Sequence, residues 1–422
     1  MTACMVPAFD ARAHETGSLH VHAFGEIGAR ALDGELYIAV RPGVVLESDS
    51  FNLIIAPLLH FGLDDDNRPA LRSEDLDSLG DYGRALYLLH ARGRDGRWAV
   101  RAGALANESL GSGSVVGGWV ASLDPDSART AVRLDISGDA FSLEAIASGL
   151  FDLVLLAARL QVSPVVLAGG SGRAAGSWRI GVLGAVDPNA PVALSGELGG
   201  ERKPEAVTEA VGYVALDMRL TLYRDHRVLI EPYTDVVFSV GGPRAGQGAL
   251  HSGLLTQVET RAPWRFLLEA EVRRLDAGYL ARPFDAFYSL ERWGFPIGSS
   301  STKVAADAIA AGWGGGLGLG LCREGRGRVG LDLEGRRHGP SSVAANAVFS
   351  ELGQFSVTGL VAIRGLGWDG ADPWWLALAE FRWHPATALY LALRGGRTFR
   401  IDLLEARYRP AWDVGFAFGA TL

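Results

Sequence analysis

The stretch from Ala406 to the end of the chain constrains the fold more than any other. Every second position gives Ala406, Tyr408, Pro410, Trp412, Val414, Phe416, Phe418, Ala420 and Leu422; between them stand Arg407, Arg409, Ala411, Asp413, Gly415, Ala417, Gly419 and Thr421. Side chains of an extended strand alternate between two faces, so this is a strand with one greasy, aromatic face and one charged or small face. A bilayer is crossed by about 9–11 tilted strand residues whose outward face is apolar with aromatic ends. The segment is long enough to do this.

Its closing run, Val414-Gly-Phe416-Ala-Phe418-Gly-Ala-Thr-Leu422, resembles the last strand of a bacterial outer-membrane β-barrel, departing from the usual form only in ending on Leu422 rather than an aromatic. The resemblance implies residence in the bacterial outer membrane, contact with the lipid bilayer and lipopolysaccharide, and recognition of this strand by the outer-membrane assembly machinery. An amphipathic strand of a soluble β-sandwich is the competing explanation.

Composition narrows the choice. Charged residues make up 21% of the chain, yet it holds 55 Gly, 11 Trp and 17 Phe, and its mean hydropathy is positive. No run of about 18 apolar residues of the kind a membrane helix needs is present; the most apolar candidate, Val304 to Leu321, is broken by Asp307 and a row of glycines. The apolar surface is spread over short alternating pieces, which a barrel hides by facing lipid. A net charge of −8 with both signs interspersed leaves no basic stripe for nucleic acid. Cys4 and Cys322 have no metal-type spacing, and no cofactor or metal motif is found. Residues 1–17 read as an N-terminal segment, with Ala11-Arg12-Ala13 in the small-x-small form of a signal cleavage site.

From residue 18 to 422 the sequence reads as one all-β domain, a transmembrane antiparallel up-and-down barrel. Twenty candidate strands recur at about 18–30, 35–46, 51–62, 84–93, 97–105, 128–137, 140–148, 151–162, 175–187, 208–223, 226–240, 247–259, 263–275, 311–323, 327–337, 342–350, 354–365, 373–383, 387–397 and 407–422. With one or two merging and both ends on the periplasmic side, an even count of about 18 strands (16–20) is expected. Tight turns such as Arg94-Asp-Gly-Arg97 and Glu351-Leu-Gly-Gln354 alternate with longer loops at 63–83, 106–127, 188–207, 276–310 and 366–372, as short periplasmic and long outside connections would.

The charged strand faces then line the lumen: Asp217, Arg219, Glu231, Asp235, Arg265, Glu269, Glu271, Arg273, Arg328, Asp332, Glu334, Arg336, Glu380 and Arg382. Such a set either stiffens the wall by lateral pairing or sets a field that selects solutes by charge, and neutralising Arg265 and Arg273 is expected to favour cations. Trp264, Trp313, Trp375, Trp383, Tyr408, Trp412, Phe416 and Phe418 fall where strands meet a membrane interface. Gly314, Gly316, Gly318 and Gly320 share one face; the spacing is not that of a nucleotide loop, and a lumen face with room for a neighbouring loop or plug explains it better. The acidic stretch with Asp64, Asp65, Asp66, Glu74, Asp75, Asp77 and Asp81 reads as a solvated outside loop rather than a calcium site. Leu110 to Gly118 is a candidate constriction. No catalytic residues are assigned: Gly169-Gly-Ser-Gly-Arg173 lacks the second glycine of a nucleophile elbow, and His20 and His22 are a weak metal pair on one face.

The sequence therefore reads as a porin-like channel for passive diffusion of small polar solutes, with an oligomer left open. The alternatives are a plugged structural, assembly or receptor barrel, whose sign would be loops 106–127 and 276–310 filling the lumen, and a barrel-embedded hydrolase, which would need a Ser/His/Asp cluster near one rim.

Overall fold

The computed structural model describes residues 19–421 apart from 33, 64–67, 77–78, 122, 124–129, 150–152, 172–175, 199–203, 261–263, 296, 298–300, 306–309, 324–325, 338, 368–372, 387 and 403. The N-terminal segment with Cys4, the acidic positions Asp64 to Asp66 and Asp77, Arg173, and the terminal Leu422 lie outside the described residues. The chain forms a closed antiparallel barrel of twenty strands. They are β1 (His20–Leu32), β2 (Glu35–Ser48), β3 (Phe51–Ile55, continued by Leu59–Leu63), β4 (Leu86–Arg92), β5 (Trp98–Gly103), β6 (Ala131–Ser137), β7 (Phe141–Ser148), β8 (Leu155–Val162), β9 (Trp178–Leu198) and β10 (Pro204–Leu220). The second half comprises β11 (Val228–Val240), β12 (Gly248–Glu259), β13 (Trp264–Leu275), β14 (Gly312–Arg323), β15 (Gly327–Arg336), β16 (Ser341–Leu352), β17 (Phe355–Leu366), β18 (Trp374–Ala386), β19 (Leu389–Asp402) and β20 (Arg407–Thr421). Each strand pairs with its sequence neighbours, and β20 closes on β1 with Phe24 opposite Thr421 and Leu32 opposite Asp413.

The twenty candidate segments thus stay separate, and the count is twenty rather than about 18. Gly96 and Gly353, at φ of 69° and 69°, close two of the turns that keep neighbours apart, a backbone region that costs glycine little. The longest connections, 64–85, 104–130 and 276–311, all leave from one rim. The alternation of short and long is imperfect: the two-residue β1–β2 turn shares that rim, and the opposite rim has one long connection, which carries a short helix at Pro164–Leu167.

The direction of the faces separates a membrane barrel from a soluble sandwich. In β10, Val214, Leu216 and Met218 are exposed, whereas Tyr213, Ala215 and Asp217 between them are buried. A soluble sandwich would bury the greasy set. Exposed aromatics gather near the strand ends: Trp98, Trp178, Phe355 and Trp383 towards the short-turn rim, and Phe238, Trp313, Trp375 and Trp412 towards the other. Trp264 lies opposite Arg323, and Trp313 lies opposite Arg274 on the same strand pair. These two levels are ten residues apart on β13; at roughly 3.4 Å per residue and a tilt of roughly 40° that is about 25 Å, the height of an outer-membrane apolar band.

Tyr408 departs from expectation. It is buried at 4% exposure beside Trp374 and Phe399 in an interior cluster. Arg409 and Pro410 are both exposed in succession, so the inside/outside parity reverses there, and the clean alternation of Trp412, Val414, Phe416 and Phe418 outward begins only after it.

Three segments of the long-loop rim turn into the barrel instead of standing outside. In 104–123, Leu110, Val115, Val116 and Trp119 pack against Ala157, Leu183, Tyr213 and Ala215 of the wall. In 276–305, Tyr279, Phe284 and Tyr288 join the same cluster. The two segments meet as short parallel strands, Phe284 opposite Val116 and Asp285 opposite Gly117. Aromatic side chains bury about 150–250 Å² each, worth at most about 4–6 kcal/mol at roughly 25 cal/mol/Å², so a segment carrying this many aromatics does not stay in water. The third segment is 72–85. Asp75 and Asp81 of the acidic loop are both buried, which corrects their assignment as solvated.

The expected loop at 188–207 is also corrected. β9 and β10 continue past the wall as a two-stranded ribbon, with register breaks between Asp187 and Ala190 and between Pro191 and Ala193 where prolines remove ladder donors. The ribbon folds over the mouth: Leu194 and Ala206 pack against a cluster that includes Phe287, Trp293, Trp374 and Tyr408.

Candidate functional site

Below these clusters the barrel holds a chamber of about 810 Å³ into which many charged side chains project. Its lining comes from the wall all round, including Arg30, Arg159, Arg219, Arg328, Asp332, Glu380 and Arg394, and from the infolded segments through Asp75, Ser112 and Asp285. Period two along each strand puts these charges on the inner face, and the antiparallel register decides which of them meet.

On β13 to β15 the pairing runs across the glycine row. Glu271 lies opposite Gly316, which lies opposite Glu334, and Arg273 bonds Glu271 and reaches Glu334 at 2.9 Å. A Cβ on Gly316 would stand 3.0 Å from the Arg273 guanidinium, so this glycine makes room for a side chain that bridges two carboxylates. The single Tyr233 O–H is shared between Glu271 at 2.8 Å and Glu269 at 3.0 Å. Arg282 of the infolded segment reaches Glu334 at 3.3 Å and Glu269 at 3.5 Å. Arg336 spends its donors on backbone oxygens of Asp276, Tyr279 and Ala310, fastening that segment to the rim.

On β6 to β11, Arg159 forks to Asp217 at 2.6 and 3.0 Å and reaches Glu144 at 3.0 Å. Arg133 links Glu144 to Glu108 of the infolded segment, 3.0 Å from each, and Arg101 forks onto the same Glu108 at 2.9 Å. Ser112 donates to Asp235, and Glu231 pairs with Arg179. At the β18–β20 closure, Glu380 accepts from Arg382 and Arg394, and Arg394 also grips Glu26 of β1 at 2.6 Å. Arg30 bonds Asp413 at 2.5 Å and approaches His60, whose other ring nitrogen lies 3.0 Å from Asp75.

A fourth group fixes 276–305. Lys303 lies 2.9 Å from Asp285 and 2.8 Å from Glu291, and Arg364 of β17 lies 2.5 Å and 3.0 Å from the same two carboxylates. Burial pushes both acids up. For Glu291 it prevails and leaves the carboxyl above its ordinary range; for Asp285, Arg364 and Lys303 outweigh it and hold the carboxyl below the usual range. Asp187 accepts from Tyr288 at 2.6 Å and from Arg292 at 2.7 Å, which ties the ribbon to the same segment.

Of the residues singled out in the sequence, Asp217, Glu231, Glu269, Glu271, Arg273, Glu334, Glu380 and Arg382 are thus locked into ion pairs, while Asp235 is held by the neutral Ser112 hydroxyl. Arg265 is paired with Glu259 at 2.7 Å but is a third exposed. Arg219, Arg328 and Asp332 line the chamber and make no ion pair or side-chain hydrogen bond among the described residues. Glu26, Arg133, Glu144, Arg159 and Arg394 were missed, although each stands at an inward position of a candidate strand and parity alone could have found it. Lys303, Glu291 and Asp285 carry no periodic signal, because their segment is not a strand in the wall. Two imidazole–carboxylate pairs, His60 with Asp75 and His251 with Glu271, have no serine among their hydrogen-bond partners within the described residues.

A closed ring of strands with a greasy, aromatic-rimmed exterior and an ion-paired interior is a transmembrane β-barrel of the outer-membrane type. No family model matches the sequence, and no curated protein does. Among solved structures, the chain is similar to a ferric enterobactin receptor mutant from Pseudomonas aeruginosa (PfeA), with 9% identity over 97% of this chain and 82% of that one and a TM-score of 0.38. It is also similar to Pseudomonas aeruginosa OccK5 (OpdH), at 11% identity, 96% and 98% coverage and a TM-score of 0.36. A third is Acinetobacter baumannii OccAB3, at 8% identity, 96% and 99% coverage and a TM-score of 0.34. Likenesses this weak transfer no function.

Proposed function

We propose that this barrel is a passive channel for small polar solutes in the bacterial outer membrane, its lumen narrowed by the infolded segments and its selectivity set by the chamber charges that are left unpaired. The supporting observation is the chamber itself, a charged space of about 810 Å³ in which Arg219, Arg328 and Asp332 alone among the charged residues singled out in the sequence are uncommitted. Charges already neutralised by a neighbour offer a passing solute little, whereas an uncommitted guanidinium in a narrow, partly dehydrated space acts strongly on it. Arg273 is therefore a wall brace, and selectivity falls to Arg219 and Arg328.

The deciding experiment is single-channel recording of the reconstituted barrel with ion selectivity taken from reversal potentials. Steady conductance steps are expected, with the double variant Arg219→Gln/Arg328→Gln shifted towards cations. A folded, inserted protein without conductance would overturn the channel. It would favour a closed structural or receptor barrel instead, a reading that has its own support in the contact between segments 104–123 and 276–305 across the interior.

A further inference from the structure

Two of the three uncommitted charges are neighbours. Arg328 and Asp332 stand on one face of β15, four residues apart, so their Cα atoms are about 13 Å apart along the strand. The one inward position between them is Gly330, and its partner across β14 is Gly320. The wall between the two charges therefore has no side chains of its own. On the other flank Asn346 lies opposite Gly330; a Cβ on that glycine would come within 3.0 Å of the Asn346 amide. The Asn346 side chain makes no hydrogen bond among the described residues and also lines the chamber. Arg282, the nearest cation from the infolded segment, is engaged by Glu269 and Glu334.

We infer that this trough on β14 to β16 binds a short zwitterion, with its carboxylate on Arg328, its ammonium on Asp332 and its polar middle on the Asn346 amide. A guanidinium reaches well beyond its Cα and a carboxylate a little way, so the space left between the two heads suits a ligand whose charges are several ångströms apart. A short peptide or an ω-amino acid has such a spacing. A simple anion would leave Asp332 facing it, and a simple cation would leave Arg328 facing it; either mismatch weakens binding. The trough deepens the channel reading by naming the class of solute that would pause there, and it rests on that reading only for transport.

The test is calorimetric titration of the detergent-solubilised barrel with 6-aminohexanoate, hexanoate and hexylammonium. The zwitterion is expected to bind at least about tenfold tighter than either singly charged analogue, a difference of about 1.4 kcal/mol. Arg328→Gln and Asp332→Asn, nearly isosteric changes checked for folding by heat-modifiable mobility, should each remove that advantage. The exchange Arg328→Asp/Asp332→Arg should restore part of it, because a zwitterion can turn round. Equal binding of hexanoate, absence of zwitterion binding, or indifference to both single variants would overturn the site. Conductance of the unmodified protein is recorded separately: a barrel that conducts but does not bind keeps the channel and loses the trough, and one that binds but does not conduct does the reverse.

Discussion

Arg273 and Arg265 look equivalent in the sequence, two arginines on the inner parity of β13, yet they do different work. Arg273 is 2% exposed between Glu271 and Glu334, while Arg265 shares a partly solvated pair with Glu259. Removing one partner of a buried pair strands the others without compensation and costs about 3–5 kcal/mol, whereas an exposed pair is worth about 0–1 kcal/mol. Arg273→Gln is therefore expected to lower the temperature at which the folded band disappears on unboiled gels, and Arg265→Gln to leave it nearly unchanged; equal shifts would refute the distinction. The same comparison shows what a sequence can tell at this scale. Which residues face inward follows from parity. Which of them meet depends on register, on the absence of a side chain at Gly316 and on arginine reach, none of which is written in any one strand.

Segment 276–305 is held where it is by the buried Asp285, Glu291 and Lys303 and the part-buried Arg364, and this makes its docking pH-dependent. The Asp285 carboxyl is held below its ordinary range, so its contribution is complete above that range and is lost as pH falls through the lowered value. Glu291, pushed up by burial, works in the opposite sense at higher pH. Amide exchange across 284–293, corrected for its intrinsic rate, should stay slow near neutrality and begin to quicken only as pH falls below the ordinary aspartate range, about 4; exchange at pH 7 that is no faster in Asp285→Asn would count against the latch. Lys303→Met should speed the same exchange at pH 7. Strands are legible in the sequence because burial on one side imposes a period of two. The infolded segments have no period, and their sign was compositional: Tyr279, Phe284, Phe287, Tyr288, Trp293 and Phe295 in a stretch expected to be wet. The β9–β10 ribbon escaped for the reverse reason, since Pro188, Pro191 and Pro204 look like loop residues although they sit in a projecting two-stranded ribbon that has few neighbours to pair with.

At the scale of the molecule, the two aromatic levels set about 25 Å apart define how the barrel sits in a bilayer. Trp313, Trp375 and Trp412 on one level and Trp98, Trp178 and Trp383 on the other are exposed, so bromine placed high on the lipid chains should quench tryptophan emission more than bromine near the bilayer centre. The opposite order would show that the belts do not mark the interfaces. The barrel's existence, its outward face and its even strand number were legible because each is a sum over many strands. The exact count was harder, since it turns on whether any two neighbours merge. The ribbon gives this shell a mechanical property that a plain cylinder lacks. Rooted in β9 and β10, it packs against a cluster that the infolded segments share with Trp374 of β18 and Tyr408 of β20, almost diametrically across the ring, so ribbon and cluster together act as a tie-beam over the mouth. Lateral pressure from the membrane would flatten an unbraced ring of twenty strands towards an ellipse, and the beam resists that along one diameter.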